Sequence, residues 1–364
     1  MLTGTPPRRT FIAGSVAAAA GLLLPSAASL ASEIDAREWV TRPPADEGID
    51  GVALQSILED ARSLGVIRSP LVVRHGALVA EAYYGGASAG DLQPVHSATK
   101  SVASMLVGMA LAQGRIGSIS QTVDQLLPTA VDKAPGSPAH AITLEQILTG
   151  TSGLRYDYST QMAELEAAPD PVAYALGLPV DASHAARKTW VYNDAAVSLI
   201  SPILVHAHGM SIEAIARRDL FGPLGIERYA GERDKAGHVM SYRGLRLRAR
   251  DMARIAWTMA NDGRWGDRQV VPVEWVSNSL RTHVPATWSA APMTKTGYGY
   301  LWFTGTLGGH PVAWAWGYGA QFALVAPTLR LAVTTTARIP PPSGLVAQNN
   351  AVMSLVARIV ALAK

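Results

Sequence analysis

Val95-His96-Ser97-Ala98-Thr99-Lys100-Ser101-Val102-Ala103-Ser104 is the stretch on which the reading of this chain turns. It opens an apolar run to about Gly114, in which Val102, Met105, Leu106, Met109 and Leu111 cover most of a helical circumference. A helix apolar on nearly every side is expected to be buried. Ser97 and Lys100 stand three residues apart, so a helix puts them on one face with the amine in reach of the hydroxyl. A serine hydroxyl is a poor nucleophile near neutral pH and needs a base within hydrogen-bond reach. Lysine can be that base, or assist one, when burial lowers its pKa. The Ser97 amide, at a helix start, is a donor available to an oxyanion. The spacing also fits a capping serine beside a solvated lysine. Against that bland reading, a lone lysine in so apolar a helix is costly to bury without a partner or a role.

Outward from this stretch the pattern is strand, helix, then strand again. Asp50 is placed to cap a helix whose face carries Leu54, Ile57, Leu58, Ala61 and Leu64. Residues 70–74 and 77–84 read as strands turning at His75-Gly76. From about 116 to 245 the chain looks mainly helical, most clearly at 142–148 and 194–208. Strand patterns return at 298–304, 312–316, 321–325 and 331–336, and a helix over about 348–363 closes the chain. Strands at both ends with helices between predict an α+β unit: one antiparallel sheet flanked by helices, with an inserted mainly helical region. The sheet part is expected over about 36–115 and 246–364, the helical part over about 116–245.

The first residues are set aside from the fold. Arg8-Arg9 precede an uncharged apolar stretch to about Leu24, then Pro25 and a small-residue tract, with Ala28 or Ala31 the candidate last residue removed. This reads as an export signal over 1–31, of the twin-arginine type, and a domain over 32–364. The apolar run is about 13 residues, against the roughly 20 needed to span a bilayer, so no stable membrane anchor is expected and the product is periplasmic or secreted. The chain has no cysteine, which excludes disulfides, a thiolate nucleophile and thiolate metal sites. No basic cluster interleaved with aromatics points to nucleic acid.

The quoted stretch resembles the nucleophile segment of the serine β-lactamase and penicillin-binding-protein superfamily, and more narrowly its class C-like members, esterases and 6-aminohexanoate-dimer hydrolases. The resemblance spans nearly all of 32–364. Residues 39–44, 142–154, 220–226 and 298–302 match in order. It implies the β-lactamase/transpeptidase-like fold, no cofactor, no metal, and a small-molecule ester, amide or lactam as substrate. It makes Ser97 the nucleophile, Lys100 its partner and Tyr192, in Tyr192-Asn193-Asp194, a general base beside the lysine. Tyrosine titrates near 10, so that role needs a cation such as Lys100 to hold the phenolate. The motif ends in Asn, where this chain has Asp194; a carboxylate cannot donate the amide hydrogen bond, though it can pair with Lys100.

The third motif of the resemblance is Lys-Thr-Gly on a strand beside the nucleophile. A literal copy, Lys295-Thr296-Gly297, precedes Tyr298-Gly-Tyr-Leu-Trp302 and so stands in the wrong order. The expected place holds Ala315-Trp316-Gly317, a variant similar to those of the esterase and dimer-hydrolase branches. The Tyr318 amide then becomes the second oxyanion donor beside that of Ser97, with Trp316, Gly317 and Asp194 supporting the site. The resulting expectation is a serine hydrolase cleaving an ester or amide through an acyl-enzyme on Ser97. A class C-like β-lactamase is the alternative, and a penicillin-binding sensor without turnover is the alternative of another class. Rival signals are thinner. Gly150-Thr-Ser152-Gly153-Leu154 misses the last glycine of a nucleophile elbow. His206 and His208 lack the pattern of a metal site and are expected at a helix end before Gly209. Loops around Tyr156, Trp190 and Trp302 are expected to shape the pocket.

Overall fold

The protein is described here by a computed structural model covering Met1, residues 39–181, Ser183 and residues 188–363. The chain divides into two units, Met1–Glu38 and Trp39–Lys364, and the fold is that of the second. The expected export signal lies outside the described residues.

The N-terminal strands form as their sequence dictates. β1 (Val40–Thr41) is short; β2 (Ile67–Arg74) and β3 (Ala77–Glu81) make a hairpin turning at His75 and Gly76, with φ of 48° and 90°. Two successive positive φ values are the geometry of a two-residue turn that matches strand twist. β4 (Val284–Pro285), β5 (Thr294–Tyr298), β6 (Phe303–Leu307), β7 (His310–Gly317), β8 (Gln321–Ala326) and β9 (Leu331–Ala337) follow late in the chain. The described residues thus build a nine-stranded sheet in the order β1-β3-β2-β9-β8-β7-β6-β5-β4. β1 runs parallel to β3 and every other neighbour is antiparallel. β2 lies against β9 with Val72 opposite Val333, so the two ends of the chain meet in the middle of the sheet.

Helices cover the sheet. α1 (Gly51–Ser63) starts where Asp50 accepts from the amides of Val52 and Ala53. α2 (Thr99–Ala112) is buried over Thr99–Ala110, as its apolar circumference requires. α3 (Asp194–Ser198) and α4 (Ile200–His208) come from the helical region between the two sets of strands, α5 (Ala249–Ala260) packs on β2, β8 and β9, and α6 (Leu345–Leu362) packs on α1 and β9. α6 is long and apolar enough to cross a membrane, and here Val352, Met353, Val356 and Val360 are buried within the fold.

Three expectations need adjustment. The strand expected over 298–304 is two strands, β5 and β6, joined by a turn over 299–302. A side chain at Gly299 would stand 1.9 Å from the Ser279 carbonyl, and Leu301 has a φ of 59°, so the backbone folds back there. The helix expected from Ser97 begins as a tight 3-10 turn, His96–Ala98, before α2 proper. The region expected to be helical also holds strand Tyr229–Gly231, which joins Leu245–Leu247 and Gln93–Pro94 in a small sheet. That sheet ties the approach to Ser97 to the far end of the helical region, and the Val95 amide continues it by donating to the Leu245 carbonyl at 3.0 Å.

Candidate active site

The turn carrying Ser97 is held from several sides. His96 takes a φ of 48°, a conformation non-glycine residues adopt only where their surroundings impose it. The Thr99 hydroxyl donates to the His96 carbonyl at 2.6 Å and accepts from the Leu245 amide at 3.2 Å. One turn on, the Ser101 hydroxyl donates to the Leu301 carbonyl at 2.7 Å. Ser97 therefore sits on a pinned first turn, where backbone N–H groups have no carbonyl a turn earlier to bond.

Lys100 is buried beneath it. Its ammonium donates to Ser97 Oγ at 3.1 Å and to the Tyr242 carbonyl at 2.7 Å, and pairs with Asp194 Oδ1 at 2.6 Å. Two of its three N–H donors are thus spent on neutral oxygens, and the carboxylate supplies the opposing charge. Burial lowers the Lys100 pKa, and the Asp194 carboxylate opposes that shift. The departure from the motif thus has a structural meaning. Asp194 gives the buried lysine its counter-ion, while Asn193 caps α3, accepting from the Ala196 amide at 2.8 Å and donating to the Leu154 carbonyl at 3.0 Å.

Tyr192 stands where the sequence put it, beside both residues. It lines the same cleft as Ser97, and the Lys100 ammonium lies 4.7 Å from its ring centroid. Its ionisation is a different matter. Burial, and then the Asp194 charge, push the phenol well above its ordinary value, which favours its neutral form. Burial is the larger cause, and the counter-ion adds to it: Lys100 already faces one anion, and a second beside Asp194 is disfavoured.

Ser97, Tyr192, Trp316 and Tyr318 line one cleft of about 440 Å³. Gly317 ends β7 directly against the nucleophile turn, where a β-carbon would stand 2.1 Å from the Val95 carbonyl oxygen. Glycine is required at that approach. The turn beyond it, with φ of 74° at Gly319 and 66° at Ala320, is fixed by two buried glutamines. Gln321 Nε2 reaches the carbonyls of Tyr318 at 3.2 Å, Gly319 at 3.1 Å and Ala337 at 3.0 Å, and Gln348 Nε2 reaches that of Gly319 at 2.9 Å. Lys295, in the literal Lys-Thr-Gly copy, is on β5, exposed, and borders a different depression with Pro311 and Thr328.

The three loops anticipated border the cleft, through Tyr158, Tyr192 and Phe303 and not through the residues at their centres. Trp302 is fully buried under α2's end of the sheet, and Tyr156 and Trp190 are buried behind the wall. The wall itself is Tyr158, from the loop at Tyr156, and Trp288, which the sequence reading missed. Trp288 stacks on Tyr192 with ring centroids 4.4 Å apart and planes 20° apart. Leu345, Val346, Asn349 and Asn350 at the start of α6 complete the mouth. The signal for Trp288 was a lone tryptophan in a polar loop, Pro285-Ala-Thr-Trp288-Ser289; the signal for the glutamines was absent, because their partners are carbonyls distant in sequence. His206 and His208 end α4 before Gly209, and His208 Nδ1 lies 3.2 Å from the Arg218 guanidinium.

A family model described as Beta-lactamase matches residues 37–358. No curated protein matches the chain. Among solved structures the chain is similar to a protein of Bacillus anthracis assigned as a 6-aminohexanoate-dimer hydrolase (17% identity, 84% of this chain and 80% of that one, TM-score 0.69). It is also similar to a protein of Bacteroides dorei assigned as a beta-lactamase (19%, 86% and 98%, 0.67). A third is the D-amino acid amidase of Ochrobactrum anthropi SV3 (14%, 86% and 98%, 0.66). At these identities the structural likeness carries the fold. With the family model spanning nearly the whole of the described unit, the chain belongs to the Beta-lactamase family, a family of serine hydrolases.

Proposed function

We propose that this serine hydrolase cleaves an uncyclised ester or amide bond through an acyl-enzyme on Ser97, with Lys100 and Tyr192 moving the protons. The observation that carries the reading is the buried run of contacts from Ser97 Oγ through Lys100 Nζ to Asp194, with the Tyr192 ring beside the same ammonium. In the resting ion pair Lys100 has no lone pair to offer. Burial lowers its pKa, so loss of one proton to solvent leaves a neutral amine facing Ser97. That amine takes the serine proton as Oγ attacks the carbonyl carbon. The amides of Ser97 and Tyr318 hold the oxyanion, and the neutral Tyr192 phenol supplies the leaving group with its proton. Water then releases the acyl group by the reverse route.

Assay against a chromogenic short-chain ester, a linear amide dimer and a chromogenic cephalosporin tests this, with Ser97→Ala alongside. Ester or amide turnover lost in Ser97→Ala is the expected result. Faster turnover of the cephalosporin would make the protein a β-lactamase instead. Stoichiometric labelling without turnover would make it a sensor, and activity surviving in Ser97→Ala would end the assignment. Export belongs to the same proposal: residues 1–31 fused to a folded reporter should carry it out of the cytoplasm, and Arg8→Lys with Arg9→Lys should retain it.

A further inference from the structure

The catalytic cleft is bare of charge. Among the described residues its lining includes no ionisable carboxylate, ammonium, guanidinium or imidazole. The nearest buried cation, Lys100, is neutralised by Asp194 at 2.6 Å and lies below the cleft floor. Arg243 is committed to Glu166 and Glu232. On the strand bordering Ser97, the side chain facing the cleft is Trp316, where a cation would be needed to hold a substrate carboxylate.

What the cleft offers instead is aromatic surface at defined angles. Trp288 lies parallel to Tyr192, and meets Tyr158 at 5.8 Å and 72° and Trp316 at 6.3 Å and 71° between centroids and planes. The indole is 37% exposed, and past it Val346 is 69% exposed at the mouth. Large apolar side chains left in water around a concave site are matched to an apolar ligand. The loop bearing Trp288 is anchored, since the Ala291 amide donates to Asn350 Oδ1 on α6 at 2.9 Å. The wall is therefore part of the fold.

Resting on the Ser97 hydrolase reading above, we infer that the cleft selects an uncharged, apolar acyl group, and that Trp288 is the residue that selects it. The acyl chain runs from Ser97 along the indole toward Leu345 and Val346. A chain ending in a carboxylate would have to leave water for this surface with no cation to receive it, and is rejected.

The test uses p-nitrophenyl acetate, p-nitrophenyl hexanoate and the mono-p-nitrophenyl ester of glutaric acid, the last two similar in reach and different in terminal charge. The wild-type chain is expected to prefer hexanoate to the glutarate ester by at least a hundredfold in kcat/KM. Trp288→Ala is expected to lower kcat/KM at least tenfold for hexanoate, mainly through KM, and less for acetate, which is too short to lie along the indole. Trp288→Phe restores most of the loss, because a flat apolar ring is what the chain requires. Labelling of Ser97 by a fluorophosphonate, measured in each variant, reports whether the catalytic machinery is intact. Equal turnover of the hexanoate and glutarate esters, or a Trp288→Ala variant that labels normally and treats hexanoate as wild type does, overturns the inference while leaving Ser97 as nucleophile. Failure of wild type to label or to turn over any of the three esters overturns the underlying reading instead.

Discussion

Asp194 changes what Lys100 can do, and the change has a sign. The lysine pKa is lowered by burial and held up in part by Asp194. Catalysis that needs the neutral amine should therefore rise with pH, along a limb whose midpoint lies below the ordinary lysine value. Asp194→Asn removes the opposing anion, destabilises the ammonium and should move that limb to lower pH in a kcat/KM profile. A shift toward higher pH, or none, would contradict the role given to the pair. The same substitution leaves a buried cation with only neutral acceptors, and breaking such a pair costs about 3–5 kcal/mol, so a lower urea midpoint is expected with it. The meeting of Ser97, Lys100 and Asp194 was legible in the sequence because three-residue spacing on an apolar helix and a three-residue motif are local. The upward push on the Tyr192 phenol was not, because it comes from burial and from a charge that only the assembled site brings beside it.

At the scale of elements, the decisive join is between the end of β7 and the turn before α2. Gly317→Ala would drive a methyl into the Val95 carbonyl, 2.1 Å away, and one side must move. Misplacement of this order costs about a hundredfold in rate, so kcat should fall about that much while the far-ultraviolet circular dichroism stays unchanged. A kcat within twofold of wild type would show that the junction tolerates slack. Away from the site, Asp50→Ala should lose about 1 kcal/mol in urea unfolding, the worth of a helix cap, without touching kcat. Strands and helices with a clean period were legible: the β2–β3 hairpin, α1, and β7 to β9 stand within a few residues of their expected places. The break between β5 and β6 was not, since Tyr298-Gly-Tyr-Leu-Trp302 alternates well enough to be one strand and is folded back by the Ser279 carbonyl, a neighbour brought there by tertiary packing.

The whole molecule is assembled from its ends. α6 supplies the mouth of the cleft through Leu345, Val346, Asn349 and Asn350 and buries Val352, Met353, Val356 and Val360. Those four side chains are worth roughly 1.5–3 kcal/mol each, comparable with the roughly 5–15 kcal/mol that holds a domain together. A chain stopped at Gly344 should accordingly be recovered insoluble or protease-sensitive; a soluble, cooperatively unfolding product would show that α6 is an accessory. The class of fold was legible from strands at both ends and helices between, whereas the sheet order was not, because pairing between residues some 260 positions apart leaves no mark on local periodicity.

That meeting of ends also sets when the protein can first act. Ser97 enters the fold from the early strands, but β7 and the Tyr318 turn come from the last fifth of the chain, and β9, which joins the two halves, comes later still. During synthesis a ribosome will have released the nucleophile, its lysine and its tyrosine well before the surface against which they work exists. Hydrolysis should therefore switch on only with termination, so that enzymatic activity in a translation mixture reads out finished molecules and none of the partial ones.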